Sequence, residues 1–128
     1  MNTDAMAAYQ TTQAHSGVEG ASAHRLITLL LEGAVERIAK AKGHMERGER
    51  APQGELIGKV IDIVASLDAY LDVEKGGEVA QNLESLYDYM VRKLFDANKN
   101  SSLEELSEVE SLLLEIREGW VGIASEVE

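Results

Sequence analysis

The sequence predicts an all-α protein: an antiparallel four-helix up-down bundle behind a mobile N-terminal arm with room for a short extra helix. Three observations lead there. Apolar residues recur at helical spacing in four separate stretches, and that period gives each helix one face to bury. No stretch alternates apolar and polar residues at the strand period. Proline occurs once, at Pro52, and aromatics make up only 5% of the chain, which disfavours a sandwich or barrel built from many short, turn-bounded strands.

Each element follows from its residues. Residues 1–21 are polar and alanine-rich, with Met6, Tyr9 and Val18 as their sizeable apolar side chains. They are expected to form the arm, and residues 22–128 the bundle. Ser22 is the expected N-cap of the first helix, whose stripe is Ile27, Leu31, Ala34, Ile38, Ala41 and Met45, ending at Gly48. Gly48 to Gly54, with Pro52 in the middle, reads as a turn. The second helix buries Ile57, Val60, Val64, Leu67 and Leu71 and is expected to end at Gly76-Gly77, because glycine reaches the left-handed conformation that a C-cap needs.

The third helix carries Val79, Leu83, Tyr87, Met90, Val91 and Leu94 and stops near Asn98-Lys99-Asn100. Two overlapping capping boxes follow, Ser101 with Glu104 and Ser102 with Glu105. The last helix runs through Leu106, Val109, Leu113, Ile116, Trp120 and Ile123. Short connections make consecutive helices antiparallel neighbours. Gly33 and Gly58 sit inside helical patterns, where glycine costs about 1 kcal/mol relative to alanine; a closely approaching neighbour helix is the expected compensation.

Length and charge narrow the function. The 128 residues fit one domain. The net charge is −11, and the excess grows along the chain, with Arg117 the sole base after residue 100. Such a chain repels phosphate backbones and anionic headgroups, so neither nucleic acid nor a membrane surface is an expected partner. Cysteine is absent, which removes disulfides, thiolate metal sites and cysteine nucleophiles. No apolar run approaches the roughly 20 residues of a membrane span. The start, Met1-Asn2-Thr3-Asp4, lacks the features of a secretory signal.

Catalytic signatures are missing, so no enzyme, metal or cofactor is expected. A di-iron site in a bundle needs Glu-x-x-His pairs, and Thr12, Ala21 and Ala41 stand three residues before the three histidines. There is no Walker loop, no Gly-x-Gly-x-x-Gly and no His-Glu-x-x-His. One short motif, His44-Met45-Glu46-Arg47-Gly48, reads as the His-x-x-basic-Gly of histidine phosphotransfer domains, which are also four-helix bundles. Against that reading, Gly48 falls where the helix ends and Glu46 repels a phosphoryl group. A histidine near a helix C-terminus, favoured there by the dipole, is the plainer account. His24 is expected to be a first-turn surface residue.

The helices carry more apolar surface than a bundle face needs. A core-facing stripe is somewhat wider than about 100°. Leu56, Ile61, Ile63 and Tyr70 widen the second helix to roughly 180° by the same rotation rule. Leu103, Leu112, Leu114, Val121 and Ile123 widen the fourth. Leu26 and Leu29 fall off the first stripe, Leu86 lies at the edge of the third, and Tyr89 lies beyond it beside Asn82 and Lys93. Wide arcs can pack against two neighbours each; together they suggest grooves for an amphipathic partner helix.

The run Leu71-Asp72-Val73-Glu74-Lys75-Gly76-Gly77-Glu78-Val79-Ala80-Gln81-Asn82-Leu83-Glu84-Ser85-Leu86-Tyr87-Asp88-Tyr89-Met90 resembles the flagellar secretion chaperone FliS family. So do Ala8-Tyr9-Gln10, Ala21-Ser22-Ala23-His24-Arg25-Leu26-Ile27 and Glu115-Ile116-Arg117-Glu118-Gly119-Trp120. The resemblance covers nearly the whole chain, and its Asn-Leu-x-x-Leu-Tyr-x-Tyr-Met run is the specific part. It implies a helical bundle of the bacterial cytosol that binds the disordered C-terminal segment of flagellin, prevents early polymerisation and delivers flagellin to the flagellar export gate. It also implies that an arm tyrosine, by position Tyr9, covers part of the binding surface when no client is present. Where the family often has Ser-Pro and Leu-Tyr-Asp-Gly, this chain has Ser22-Ala23 and Leu30-Leu31-Glu32-Gly33. The lost tyrosine leaves the first helix's client contact open.

On these grounds the expected flagellin-binding residues are Tyr9, Leu26, Leu29, Leu30, Ile63, Tyr70, Asn82, Leu83, Leu86, Tyr87 and Tyr89. Leu83 and Tyr87 also fit a purely structural role in the core. Two alternatives stay open: a four-helix adaptor for another amphipathic peptide, and a phosphotransfer domain using His44.

Overall fold

A computed structural model describes residues 8–9 and 20–122. Met6, Val18 and Ile123, assigned above to the arm and the last stripe, lie outside the described residues. Four helices follow in order: α1 (Gly20–Glu46), α2 (Arg50–Ala69), α3 (Val73–Asn100) and α4 (Leu103–Val121). Among the described residues there is no strand. Each helix packs against the next, and α4 closes the ring against α1. His24 near the start of α1 meets Trp120 near the end of α4, and Gln53 near the start of α2 meets Asn98 near the end of α3. Both contacts require antiparallel neighbours.

The core is most of the predicted stripes: Val79, Leu83, Val91 and Ile116 are only half-buried, and Leu71, expected to be buried by the second helix, lies half-buried beyond the end of α2. Ile27, Leu31, Ala34, Ile38, Ala41 and Met45 are buried from α1, and Ile57, Val60, Val64 and Leu67 from α2. They meet Tyr87, Met90 and Leu94 of α3 and Leu106, Val109, Leu113 and Trp120 of α4. Burying a Leu or Ile side chain contributes about 1.5–3 kcal/mol, so these stripes supply the main drive to fold.

Several boundaries differ from the sequence reading. α1 begins at Gly20, so Ser22 lies inside its first turn and is not the cap. α2 begins at Arg50, which places Pro52 in the first turn of a helix and not in a loop. Proline is tolerated there because first-turn N–H groups have no acceptor within the helix. α2 ends at Ala69, not at Gly76-Gly77. Gly77 does take a left-handed φ of 55°, but it breaks α3 just after its first turn. The glycine signal for a helix break was sound; its owner was the next helix.

Of the two capping boxes, the structure forms the serine half of one; the Ser102 N–H donates to the Ala97 carbonyl and the Glu105 carboxylate meets Lys93 instead of closing the box. Ser102 Oγ accepts from the Glu105 N–H at 3.1 Å and caps α4. Ser101 instead closes α3 in a left-handed conformation with φ 48°, and its Oγ accepts from Arg50 at 2.8 Å. Gly33 has the neighbour expected of it: a Cβ there would lie 3.7 Å from Ile63 Cδ1 and 3.0 Å from Arg37 Nη1. Gly58 does not. Among the described residues, no atom outside its own helical surroundings lies within 4 Å of where its Cβ would be.

Candidate functional site

The site begins at a turn. Asp72 caps α3, its carboxylate accepting from the Lys75 N–H at 3.2 Å. The Asp72 backbone N–H donates in turn to the Ala8 carbonyl at 2.7 Å. Ala8 therefore lies across the first turn of α3, over Gly76, and both Ala8 and Tyr9 are buried. The Tyr9 ring reaches into the bundle, where its hydroxyl meets that of Tyr87 at 2.6 Å. Its edge packs on Trp120, with ring centroids 5.5 Å apart and planes at 70°. Burial pushes the Tyr87 phenol up to about 12, and burial followed by the neighbouring Tyr87 raises Tyr9 as well. The pair is a neutral hydrogen bond in an apolar setting.

Trp120 is held from behind by His24. The two rings stack with centroids 4.7 Å apart. The Trp120 indole N–H donates to the His24 carbonyl at 3.0 Å, and His24 Nε2 lies 2.7 Å from the Trp120 carbonyl. A carbonyl can only accept, so Nε2 carries the proton. His24 is thus 3% exposed, which corrects the expectation of a surface residue. The reciprocal bonds pair its Nε2 and its carbonyl across the α1–α4 interface, a partnership that local sequence cannot display.

Beside Tyr9 an apolar cavity of about 220 Å³ remains open. Ile27 and Leu31 of α1, Val79, Leu83 and Tyr87 of α3, and Glu115, Ile116, Gly119 and Trp120 of α4 line it with Tyr9. Tyr87 is also a wall of a second cleft of about 370 Å³ between α2 and α3, with Val64, Ala65, Asp68, Asp88, Val91 and Arg92. Among the described residues Asp68 Oδ1 is buried without a hydrogen-bond partner. Burial first, and then Asp88 and Glu84, raise its pKa above the usual carboxylate value.

Three expected residues, Tyr9, Leu83 and Tyr87, meet at the first cavity. Leu30, Ile63, Tyr70 and Leu86 are half-buried against the core and do not line it. Leu26 is half-buried, Asn82 is exposed, and Leu29 stands 53% exposed on α1. Tyr89 lies apart: its hydroxyl donates to Glu108 of α4, and Lys93 Nζ stands 5.7 Å from its ring centroid. A tyrosine on a polar face is thereby used as a clasp between α3 and α4.

The wide arcs divide. Leu56, Ile61 and Ile63 of α2, with Tyr70 just past its end, are taken up by packing, whereas Leu103, Leu114 and Val121 of α4 stay exposed. The sequence reading assigned Ile27, Leu31, Val79, Ile116 and Trp120 to the core alone; they also wall the cavity. It missed Gly76, Gly119 and the exposed Phe95. His44 sits in the last turn of α1, where Nδ1 meets the Glu49 carboxylate at 2.7 Å. Hydrogen bonds from His44 and Arg47 hold the Glu49 carboxyl below its ordinary value.

A sequence model of the family described as flagellar protein FliS matches residues 5–127. The chain belongs to the FliS family. Among relatives, it is 47% identical over 120 residues to the flagellar secretion chaperone FliSB of Pseudomonas aeruginosa, covering 94% of this chain and 95% of that protein. It is 42% identical over 118 residues to the flagellar secretion chaperone FliS of Salmonella typhimurium, covering 91% and 87%. The FliS of Bacillus subtilis is 26% identical over 113 residues, covering 88% and 80%. The run from Leu71 to Met90 that carried the resemblance also supplies the cavity's α3 wall, Val79, Leu83 and Tyr87. No described helix is long and apolar enough to cross a membrane.

Proposed function

We propose that this FliS family member is a flagellar export chaperone that receives the C-terminal segment of flagellin in the groove beside Tyr9. Holding that segment keeps flagellin from polymerising in the bacterial cytosol until the complex reaches the flagellar export gate. One observation carries the reading: a piece of the chain's own arm is seated in an apolar groove that it only partly fills. A helix-forming flagellin tail brings apolar faces that bury at about 25 cal/mol per Å², less the entropy of ordering it. The function needs shape and apolar surface, and no catalytic group.

The arm then acts as a cover. Among the described residues its seat rests on Ala8 and Tyr9, one backbone hydrogen bond and one phenol pair. An internal competitor lowers the client's apparent affinity by the fraction of molecules it closes. The remaining expected contacts, from Leu26, Leu29 and Leu30 to Ile63, Tyr70, Asn82, Leu86 and Tyr89, extend the proposed interface over α1, α2 and α3.

The test is titration of the full chain with a flagellin C-terminal peptide, following Trp120 fluorescence and peptide helicity. Saturable binding at micromolar concentration or below is expected, and no change at such concentrations would sink the reading. Tyr9→Ala should tighten binding several-fold by weakening the cover; weaker binding would mean that Tyr9 touches the client directly.

A further inference from the structure

The seat under Ala8 and Tyr9 is selective at two points that apolar shape alone does not explain. At the first, a Cβ on Gly76 would stand 2.7 Å from Ala8 Cα and 3.0 Å from Ala8 Cβ. The backbone crossing Gly76 therefore runs close to it, and Ala8 is itself fully buried there, which leaves room for a small side chain. The Asp72 N–H, bonded to the Ala8 carbonyl at 2.7 Å, fixes that depth. At the second point, the Tyr87 hydroxyl lies on a residue 1% exposed, and it meets the Tyr9 hydroxyl at 2.6 Å. An occupant with no polar group there would strand a buried hydroxyl, and that loss is steep. The groove also extends past the arm: the cavity beside Tyr9 is open, and the space above Gly119 on its wall is empty among the described residues.

We propose that the groove recognises a two-residue signature: a small residue over Gly76, followed directly by a side chain whose hydroxyl or amide reaches the Tyr87 hydroxyl. Ala8-Tyr9 is the chain's own copy of that signature, and an entering client segment must carry an equivalent pair. The inference rests on the reading that the client takes the arm's seat, and it narrows that reading to a chemical pattern. Apolar residues after the pair then fill the open cavity, so the polar contact sets register while apolar burial supplies affinity.

The experiment uses the full chain carrying Tyr9→Ala, which removes the phenol pair and loosens the arm's hold, leaving the Ala8 backbone bond for a peptide in excess to displace. It is titrated with a synthetic peptide copying residues 4–15 and with its Tyr9→Phe and Ala8→Leu versions, read by Trp120 emission. The natural peptide should bind and restore the emission of the unsubstituted chain. The Phe peptide should bind about tenfold weaker, the weight of one hydrogen bond whose partner stays buried. The Leu peptide should lose at least about tenfold through overpacking against Gly76. Equal affinity of the Phe peptide would overturn the hydrogen-bonding half, equal affinity of the Leu peptide the size half, and no binding of the natural peptide the whole. Should Tyr9→Ala lose its helical signal, Tyr9→Phe serves as the receptor with the same ranking expected. A flagellin C-terminal peptide that displaces the arm peptide supports the shared seat. Binding without displacement would remove this groove from the client while leaving the peptide rule intact, so the two failures are told apart.

Discussion

Asp68 shows at the scale of one residue how the fold tolerates a poor local choice beside its groove. Its carboxyl is partly buried, lies near Asp88 and Glu84, and is held above the ordinary carboxylate value. The folded state therefore binds this proton more tightly than the unfolded chain does. That contribution is complete below about pH 4, the unfolded value, and is lost as pH rises through the raised folded value. Asp68→Asn should accordingly raise the thermal midpoint at pH 7 and change it little near the unfolded value, a pattern that melting curves across this range would check. Gly58 is a second such residue. It sits inside α2 with open space where its Cβ would be, so Gly58→Ala should stabilise the protein by about 0.5–1 kcal/mol. Chemical denaturation would measure it, and a loss of stability would mean that the space is used.

The elements owe their ends to a few residues, and the two glycines of α3 have separate tasks. Gly77 supplies the positive φ that sets the first turn of α3 apart from the rest, and that turn offers its Asp72 N–H to Ala8. Gly76 clears the space that Ala8 fills. The glycine pair thus shapes a docking surface as well as a break in a helix. At the far end of α3, the paired serines separate into a left-handed close and an N-cap. Ser102→Ala should cost about 1 kcal/mol, read as a fall in the denaturation midpoint. Arg50 and Gln53, which both reach Asn98 and Ser101, keep that corner assembled when the cap is lost.

For the whole molecule, charge and groove act together. A net charge of −11 repels itself in the compact state and opposes association between molecules. Interhelical pairs such as Lys42 with Glu110 at 2.9 Å and Arg117 with Glu32 at 3.2 Å offset a small part of that repulsion, since partly exposed pairs are worth about 0–1 kcal/mol. Raising salt from about 0.05 to about 0.5 M, which shortens the screening length severalfold, should therefore raise the thermal midpoint. A fall would show that the ion pairs outweigh the repulsion. The same charge works against association through the exposed α4 leucines and the open cavity.

Local pattern by itself determined the four helices, most of their buried stripes and one correct N-cap, because each depends on residues a few positions apart, and the short connections determined the antiparallel order. The family was legible as well, through the resemblance of the run that ends at Tyr89-Met90 and not through periodicity. What the tertiary structure decided was which apolar arcs stay open and which polar groups find partners. The Tyr9–Tyr87 pair joins residues 78 positions apart, and the His24–Trp120 clasp joins residues 96 apart, beyond the reach of any local pattern. The same limit explains why Ser22, Pro52 and Gly76-Gly77 were placed at the wrong boundaries and why Gly58 lacks its neighbour. A helix reports its own buried face in its sequence, but what covers that face is chosen by the helices, or the arm, that fold against it.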